Sequence, residues 1–208
     1  MGVAVRFKCL RCGKCCRLSP ITVLPHEVII INRLAKNMGI SIEFKPSYGV
    51  YDRFSGRFIV LSYILDLSNN KCPFLGEGNK CIIHNLYKPL TCRSFPYLPK
   101  DVRYYFDDIN KIIIHRSNYG ISLNCTFVKE HENELNRAIK IYGVRGVFPN
   151  EYAIAYFMES LRRHYLTALS KLWRSGLIDL KPGIRKGKDI NAYSFLLTMY
   201  SLYKSLIK

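Results

Sequence analysis

Four of the eight residues from position 9 to position 16 are cysteines, in the order Cys-x-x-Cys-x-x-Cys-Cys, and this cluster constrains the fold more than any other feature. Cys-x-x-Cys spacing brings two thiolates to one turn of backbone whose amides point back at the sulfurs, and it recurs at zinc and iron–sulfur sites. Gly13 permits the tight turn that this arrangement requires. The segment therefore predicts a metal-binding loop.

Four later cysteines are available to complete the site. Adjacent Cys15 and Cys16 point in different directions, so one tetrahedral ion would not use both of them together with Cys9 and Cys12. Eight thiolates divide naturally into two four-cysteine sites, and we expect the later loops to fold back over residues 9–16. The candidate metal ligands are Cys9, Cys12, Cys15, Cys16, Cys72, Cys81, Cys92 and Cys125.

Two other interpretations of the cysteines do not involve a metal. Reduced cysteines can be buried as small apolar side chains, but residues 9–16 lie in a polar and basic stretch, where Arg11, Lys14 and Arg17 would offset thiolate charge. A disulfide framework is the second alternative, and a reducing cytosol disfavours it, with intracellular hyperthermophile proteins as the exception. Metal binding is the interpretation that the pattern favours.

The distribution of cysteines predicts two domains, because none follows residue 125. We predict a cysteine-cluster domain over residues 1–127 and a helical region over 128–208, which together give an α+β fold. The first domain is expected to contain an N-terminal helix and two hairpins, over 25–38, 50–65 and 102–115. In the second region, helical periodicity predicts three helices, over 128–142, 151–174 and 190–207.

The net charge of +17 is spread along the chain and is compatible with contact to polyanions, although a solvated lysine-rich surface would give the same value. The first residues lack the apolar core and cleavage site of a secretory signal. No apolar stretch approaches the roughly 18 residues of a membrane span. The expectation is a soluble, cytoplasmic protein without a membrane span.

The downstream cysteines lie in distinctive motifs. They are Cys72-Pro-Phe-Leu, Cys81-x-Ile followed by a ring residue, and Lys88-Pro-Leu-Thr-Cys92-Arg-Ser-Phe-Pro, after which comes the isolated Cys125. In this order, behind the N-terminal cluster, the motifs resemble those of the YkgJ-like cysteine-cluster family. That family is described as a zinc- or iron-chelating domain, and the resemblance spans residues 7 to about 125.

The resemblance implies roles for individual residues. It implies metal ligation by the seven cysteines from Cys9 to Cys92 and by Cys125, and a supporting role for Arg93 beside the cluster. His84 stands where the family often has Tyr, so that it is either an additional ligand or a ring packed under the cluster loop. Lys88 stands where the family usually has Arg. The resemblance also extends to flagellin lysine methylases, which contain a similar cysteine region.

A [4Fe–4S] cluster is the favoured cofactor, with zinc as the alternative. Three cysteines spaced as Cys-x-x-Cys-x-x-Cys, with a remote Cys-Pro, resemble the loop that wraps a cubane cluster. The predicted function is a cysteine-cluster protein that serves electron transfer or metal handling with a protein partner, and an iron–sulfur oxidoreductase if it is an enzyme. The chain contains no glycine-rich dinucleotide loop or P-loop, so a partner would supply the electrons.

Two alternative functions belong to other classes. One is a cluster-dependent enzyme that modifies protein or RNA, with a methylase-like activity. The other is a zinc-stabilised module that binds nucleic acid. Its phosphate contacts would come from the loop 181–188 and from four cations of the second predicted C-terminal helix, Arg162, Arg163, Lys171 and Arg174.

Overall fold

The computed structural model describes residues 6–67 and 70–206, and the fold is α+β as predicted. The helices are α1 (Cys15–Leu18), α2 (Pro25–Asn37), α3 (Leu90–Ser94), α4 (Thr126–Glu130), α5 (Glu132–Val147), α6 (Pro149–Arg174) and α7 (Ala192–Leu206). The strands are β1 (Ile21–Val23), β2 (Phe44–Asp52), β3 (Arg57–Leu65), β4 (Tyr97–Asp107), β5 (Ile112–Ile121), β6 (Leu180–Lys181) and β7 (Lys188–Asn191).

Strand β3 is the centre of the larger sheet. It pairs antiparallel with β2 along one edge, and with antiparallel β1 and parallel β7 along the other, while β6 extends the sheet beyond β2. Phe58, Ile59, Val60 and Leu61 are consecutive and all buried. A strand whose successive side chains are all buried is covered on both faces of its sheet.

The two faces of this sheet carry different cores. On one face, Ile59 and Leu61 pack with apolar residues of α6 and α7, including Leu169 and Phe195. On the other face, residues of β1 and α2 pack with a second apolar group that includes Cys72, and Cys16, Cys81 and Cys92 lie against its edge. These four cysteines are therefore anchored to the side of the sheet opposite the C-terminal helices.

The half-buried carboxylate of Glu159 joins the β4–β5 hairpin to α6. Glu159 accepts hydrogen bonds from His115 Nε2 at 2.6 Å, Ser117 Oγ at 2.8 Å and Tyr119 Oη at 2.8 Å. Arg162, one helical turn further along α6, pairs with the same carboxylate and is buried. Burial alone would raise the pKa of Glu159, but these hydrogen bonds and the charge of Arg162 lower it to about 2. Glu159 is therefore ionised at neutral pH.

The predicted elements are present with shifted bounds. The helix predicted over 25–38 is α2, and both predicted hairpins form with longer strands, β2 with β3 and β4 with β5. The predicted helix over 128–142 is divided at His131 into α4 and α5. The predicted helix over 190–207 begins at Ala192 because residues 188–191 form β7 instead, and its last predicted residue lies outside the described part of the chain.

The C-terminal region shares the larger sheet with the first part of the chain. β6 pairs with β2 and β7 pairs with β3, and the position predicted as the domain boundary, 127/128, lies inside α4. That residues 1–127 fold as a separate domain therefore stays a prediction. Across residues 6–67 and 70–206, no helix combines the length and the apolar character needed to cross a membrane.

Candidate metal centre

All eight cysteines line one cavity of about 540 Å³. The cavity lies between the N-terminal loop and the segments around residues 72–98 and 124–127. Its walls also contain aromatic side chains, among them Phe7, Phe74, Phe95 and Phe127. The structure therefore brings the N-terminal cluster and the four later cysteines to the same place, as the sequence predicted.

Cys9 and Cys12 lie in a loop that leads into a short helix. Gly13 has φ of +70°, a conformation that favours glycine, and a Cβ atom at this position would lie 2.9 Å from Asn79 Cβ. Helix α1 begins directly at Cys15, so Cys15 and Cys16 occupy its first turn. Glycine thus allows the N-terminal loop to approach the loop that contains Asn79 and Cys81.

The later cysteines are positioned by backbone contacts with the N-terminal loop and by short elements. The Cys72 amide donates to the Cys16 carbonyl at 2.9 Å. A β-bridge between Leu75 and Cys81 closes the loop between the second and third cysteine segments. Cys92 lies on α3, and Cys125 is the N-terminal flanking residue of α4. Each later cysteine is therefore at the end of a fixed segment or on a short helix.

Glu27, which the sequence analysis did not single out, joins these segments to α2. Its fully buried carboxylate accepts hydrogen bonds from the Leu24 amide at 2.9 Å, the Leu90 amide at 2.8 Å and Tyr87 Oη at 3.0 Å. Burial raises its pKa, and the three hydrogen bonds oppose that rise. The Leu90 amide begins α3, the helix of Cys92, so Glu27 holds that helix in place.

Glu27→Gln is expected to lower the free energy of unfolding by about 2 kcal/mol. The glutamine NH₂ group would replace one of the two accepting oxygens, so at least one of the three groups that donate to Glu27 would lose its acceptor. Urea denaturation at neutral pH measures the change. Glu43→Gln, on an exposed residue before β2, is the matched control and should change stability by less than about 0.5 kcal/mol. Equal stabilities for the two variants would contradict the role assigned to Glu27.

We divide six of the thiols into two groups by their neighbours. The inner triad is Cys72, Cys81 and Cys92: burial raises the pKa of the Cys92 thiol, and negative charge on Cys72, Cys15 or Cys81 raises it further. The outer triad is Cys9, Cys12 and Cys125. Burial raises the pKa of Cys125, and negative charge on Cys9 raises it further. The Sγ atom of Cys12 lies 3.5 Å from Oγ1 of Thr126, the residue that follows Cys125.

Cys15 and Cys16 are the two cavity cysteines that belong to neither triad. Their sulfur atoms are 4.0 Å apart. Negative charge on Cys15 raises the pKa of Cys92 in the inner triad and that of Cys125 in the outer triad. Cys16 packs against the same apolar core as the inner triad. Cys15 therefore interacts with thiols of both triads.

The inner thiols are protonated at neutral pH when no cation balances them. Burial raises the pKa of Cys72 to about 11 and also raises that of Cys81. The pKa of Cys15 is raised chiefly by its hydrogen bond with Cys16 and then by burial. Because metals bind thiolates, a metal entering this group must displace protons.

The two non-cysteine residues assigned to the site lie in different places. His84 lines the cavity, and its amide donates to the Cys81 carbonyl at 3.2 Å. Desolvation, with the charges of Lys88 and Arg11, lowers its pKa and favours the neutral ring. Arg93 is exposed and is not among the lining residues; its charge acts on Glu27 instead. The ligand roles of the cysteines and the roles of these two residues stay predictions.

The eight cysteines are free thiols, and no disulfide joins them. Among residues 6–67 and 70–206, no group of three or more Cys, His, Asp or Glu side chains has the geometry of a metal-ion site. The donor set nevertheless fits a thiophilic metal, because eight sulfurs share one cavity and its lining includes the cations Arg11, Lys80 and Lys88 without any carboxylate.

Comparison with known proteins finds a family match in the N-terminal part of the chain. Residues 8–110 match the family model CxxCxxCC, described as "Putative zinc- or iron-chelating domain". The matched range contains seven of the eight cavity cysteines and ends before Cys125. No curated protein and no solved structure matched the chain.

Proposed function

The chain belongs to the CxxCxxCC family, as its cysteine motifs predicted, and from this premise we propose that it holds iron–sulfur clusters for electron transfer or metal handling. The single observation that carries the proposal is the set of eight free thiols around one cavity. Structural packing alone would not explain this set, because Cys9 and Cys12 are exposed and gain nothing from burial.

The size of the cavity is compatible with a polynuclear cofactor. A Zn–S bond is about 2.3 Å long, so a sphere of that radius around one ion encloses only about 50 Å³. The cavity measures about 540 Å³, which leaves room for clusters that contain several metal ions and bridging sulfides. Zinc remains the alternative cofactor of the family description.

Two four-thiol sites would hold the metal. The inner triad and the outer triad each gain one of the adjacent residues Cys15 and Cys16 as the fourth ligand. Arg11, Lys80 and Lys88 line the same cavity and would offset the negative charge of the thiolates. When bound, an iron–sulfur cluster supplies a redox couple whose potential depends on the charge and hydrogen bonds around it. A protein partner would exchange the electrons, since the sequence contains no dinucleotide-binding motif.

A surface cavity on α6 supports a second candidate, the zinc-stabilised nucleic-acid-binding module. Arg163, His164 and Lys171 line this cavity of about 290 Å³, together with Tyr200. Arg162, which the sequence assigned to the same surface, is buried against Glu159 and does not present its charge there. Binding that weakens steeply with salt would support this function.

Anaerobic purification followed by elemental analysis tests the proposal. We expect iron and acid-labile sulfide in amounts that correspond to two four-cysteine sites, with a visible absorption band that bleaches on reduction. A thiol titration before and after chelation is the internal control, because ligand thiols become reactive only when the metal leaves. Protein without iron or zinc would overturn metal binding, and zinc without iron would overturn the cofactor assignment.

A further inference from the structure

Five large aliphatic side chains are exposed, and each is next in sequence to a residue that lines the cavity. Leu10 follows Cys9, Ile82 follows Cys81, and the side chains of the group are between 46% and 61% exposed. The Asn124 side chain donates to the Leu18 carbonyl at 3.3 Å, which joins the end of α1 to the loop of Leu123. We call this group the apolar rim; its members are Leu10, Leu18, Ile82, Leu86 and Leu123.

The apolar rim is interspersed with cations. Arg11, Lys80 and Lys88 line the cavity, which has no lining carboxylate. Arg17 donates a hydrogen bond to Asn79 Oδ1 at 3.0 Å, and this contact brings a further guanidinium to the loop beside Lys80. Burial raises the pKa of Glu151, and the positive charge of Lys88 opposes that rise. The mouth of the cavity therefore combines positive charge with exposed aliphatic surface.

We infer that the apolar rim is the docking surface for a protein segment that presents carboxylates together with aliphatic side chains. Clustered exposed apolar side chains beside a functional site are typical of protein interfaces, and positive charge selects an acidic partner. Nucleic acid is the other polyanion that positive charge attracts, and its binding is one outcome of the test. This inference rests on the proposed function, since a centre in this cavity would exchange electrons or metal through its mouth.

Fluorescence anisotropy with synthetic peptides tests the inference on the full-length, as-purified protein. The probe is a short labelled peptide of alternating Glu and Leu, compared with Glu–Ser and Lys–Leu peptides and with single-stranded RNA. We expect the Glu–Leu peptide to bind about tenfold more tightly than each of the others, a difference of the size that a few interface side chains produce. Its affinity should fall as salt is added.

A paired substitution separates the rim from the general charge of the surface. Leu86→Ser with Lys80→Glu should weaken binding of the Glu–Leu peptide about tenfold, while leaving every cysteine in place. Ile29→Ser with Arg33→Glu, an exposed aliphatic and an exposed cation one turn apart on α2, is the matched control and should leave the affinity unchanged.

Equal affinity for the Glu–Ser peptide, tighter binding of RNA, or an equal effect of both double variants would each overturn the inference. Metal analysis of the same samples separates it from the proposed function. Metal-loaded protein that does not bind the Glu–Leu peptide refutes the docking surface alone. Protein that binds the peptide selectively but contains no metal refutes the proposed function alone.

Discussion

Cys92→Ser is expected to remove the metal of the inner site and so to lower the total metal content to about half, with a large fall in thermal stability. The thiol belongs to the inner triad and lies on α3, where it packs against the core beneath the larger sheet. In a structural site the free energy of metal binding is part of the free energy of folding, so losing one ligand weakens both. Elemental analysis and thermal denaturation of the same sample measure the two effects.

The control and the comparison variants come from the same cavity region. Ser94→Ala, on the same helix, removes one buried hydroxyl that donates to the Thr91 carbonyl, and should cost about 1 kcal/mol without loss of metal. Cys12→Ser should remove the outer metal instead. Because Cys12 is exposed, its substitution removes few packing contacts. A fall in the stability of this variant would therefore be due to the lost metal. Full metal content in both cysteine variants would refute the two-site assignment.

The sequence predicted the long elements well because each carries its own local signal. The helix over 25–38 has Pro25 at its first turn and apolar residues on one face, and the structure begins α2 at that proline. The hairpin predicted around residues 55 and 56 forms as expected, with Gly56 at φ of +64°. The start of β2 was missed because Pro46 and an irregular register near Tyr48 interrupt the alternating pattern there.

The missed elements are short and depend on distant partners. β6 and β7 contain two and four residues, and they form because β2 and β3 offer them edges more than 120 residues earlier in the chain. No local periodicity can signal such a strand. Helix α3, which carries Cys92, has five residues, too few for an amphipathic pattern.

The candidate site was predictable in its residue types and less so in its arrangement. Cysteine spacing identified all eight cysteines that line the cavity, because thiols in loops leave a clear pattern in the sequence. The two triads could not be deduced, since they depend on how the loops fold against each other. Glu27 was missed for the same reason: the carboxylate accepts from an amide 63 residues away, and nothing in the local sequence of α2 indicates that contact.

Glu159→Gln is expected to lower the free energy of unfolding at pH 7 by about 3 kcal/mol, because it leaves the buried charge of Arg162 without its partner. The difference from the wild type should depend on pH. Burial alone would raise the pKa of Glu159. The hydrogen bonds from His115, Ser117 and Tyr119, together with the charge of Arg162, instead lower it to about 2. The pKa of a Glu in an unfolded chain is about 4.3. A folded pKa below the unfolded value contributes stability that is complete above about pH 4.3 and is lost as the pH falls towards 2.

Denaturant unfolding of the wild type and the variant at pH 7 and at pH 3 measures this dependence. Loss of metal in acid affects both proteins alike, so their difference at each pH isolates the carboxylate. We expect the difference to be largest at pH 7 and clearly smaller at pH 3, and the exposed control Glu130→Gln should show little difference at either pH. A Glu159→Gln effect that is as large at pH 3 as at pH 7 would mean that the hydrogen-bonding shape of the side chain, and not its ionised state, joins the β4–β5 hairpin to α6.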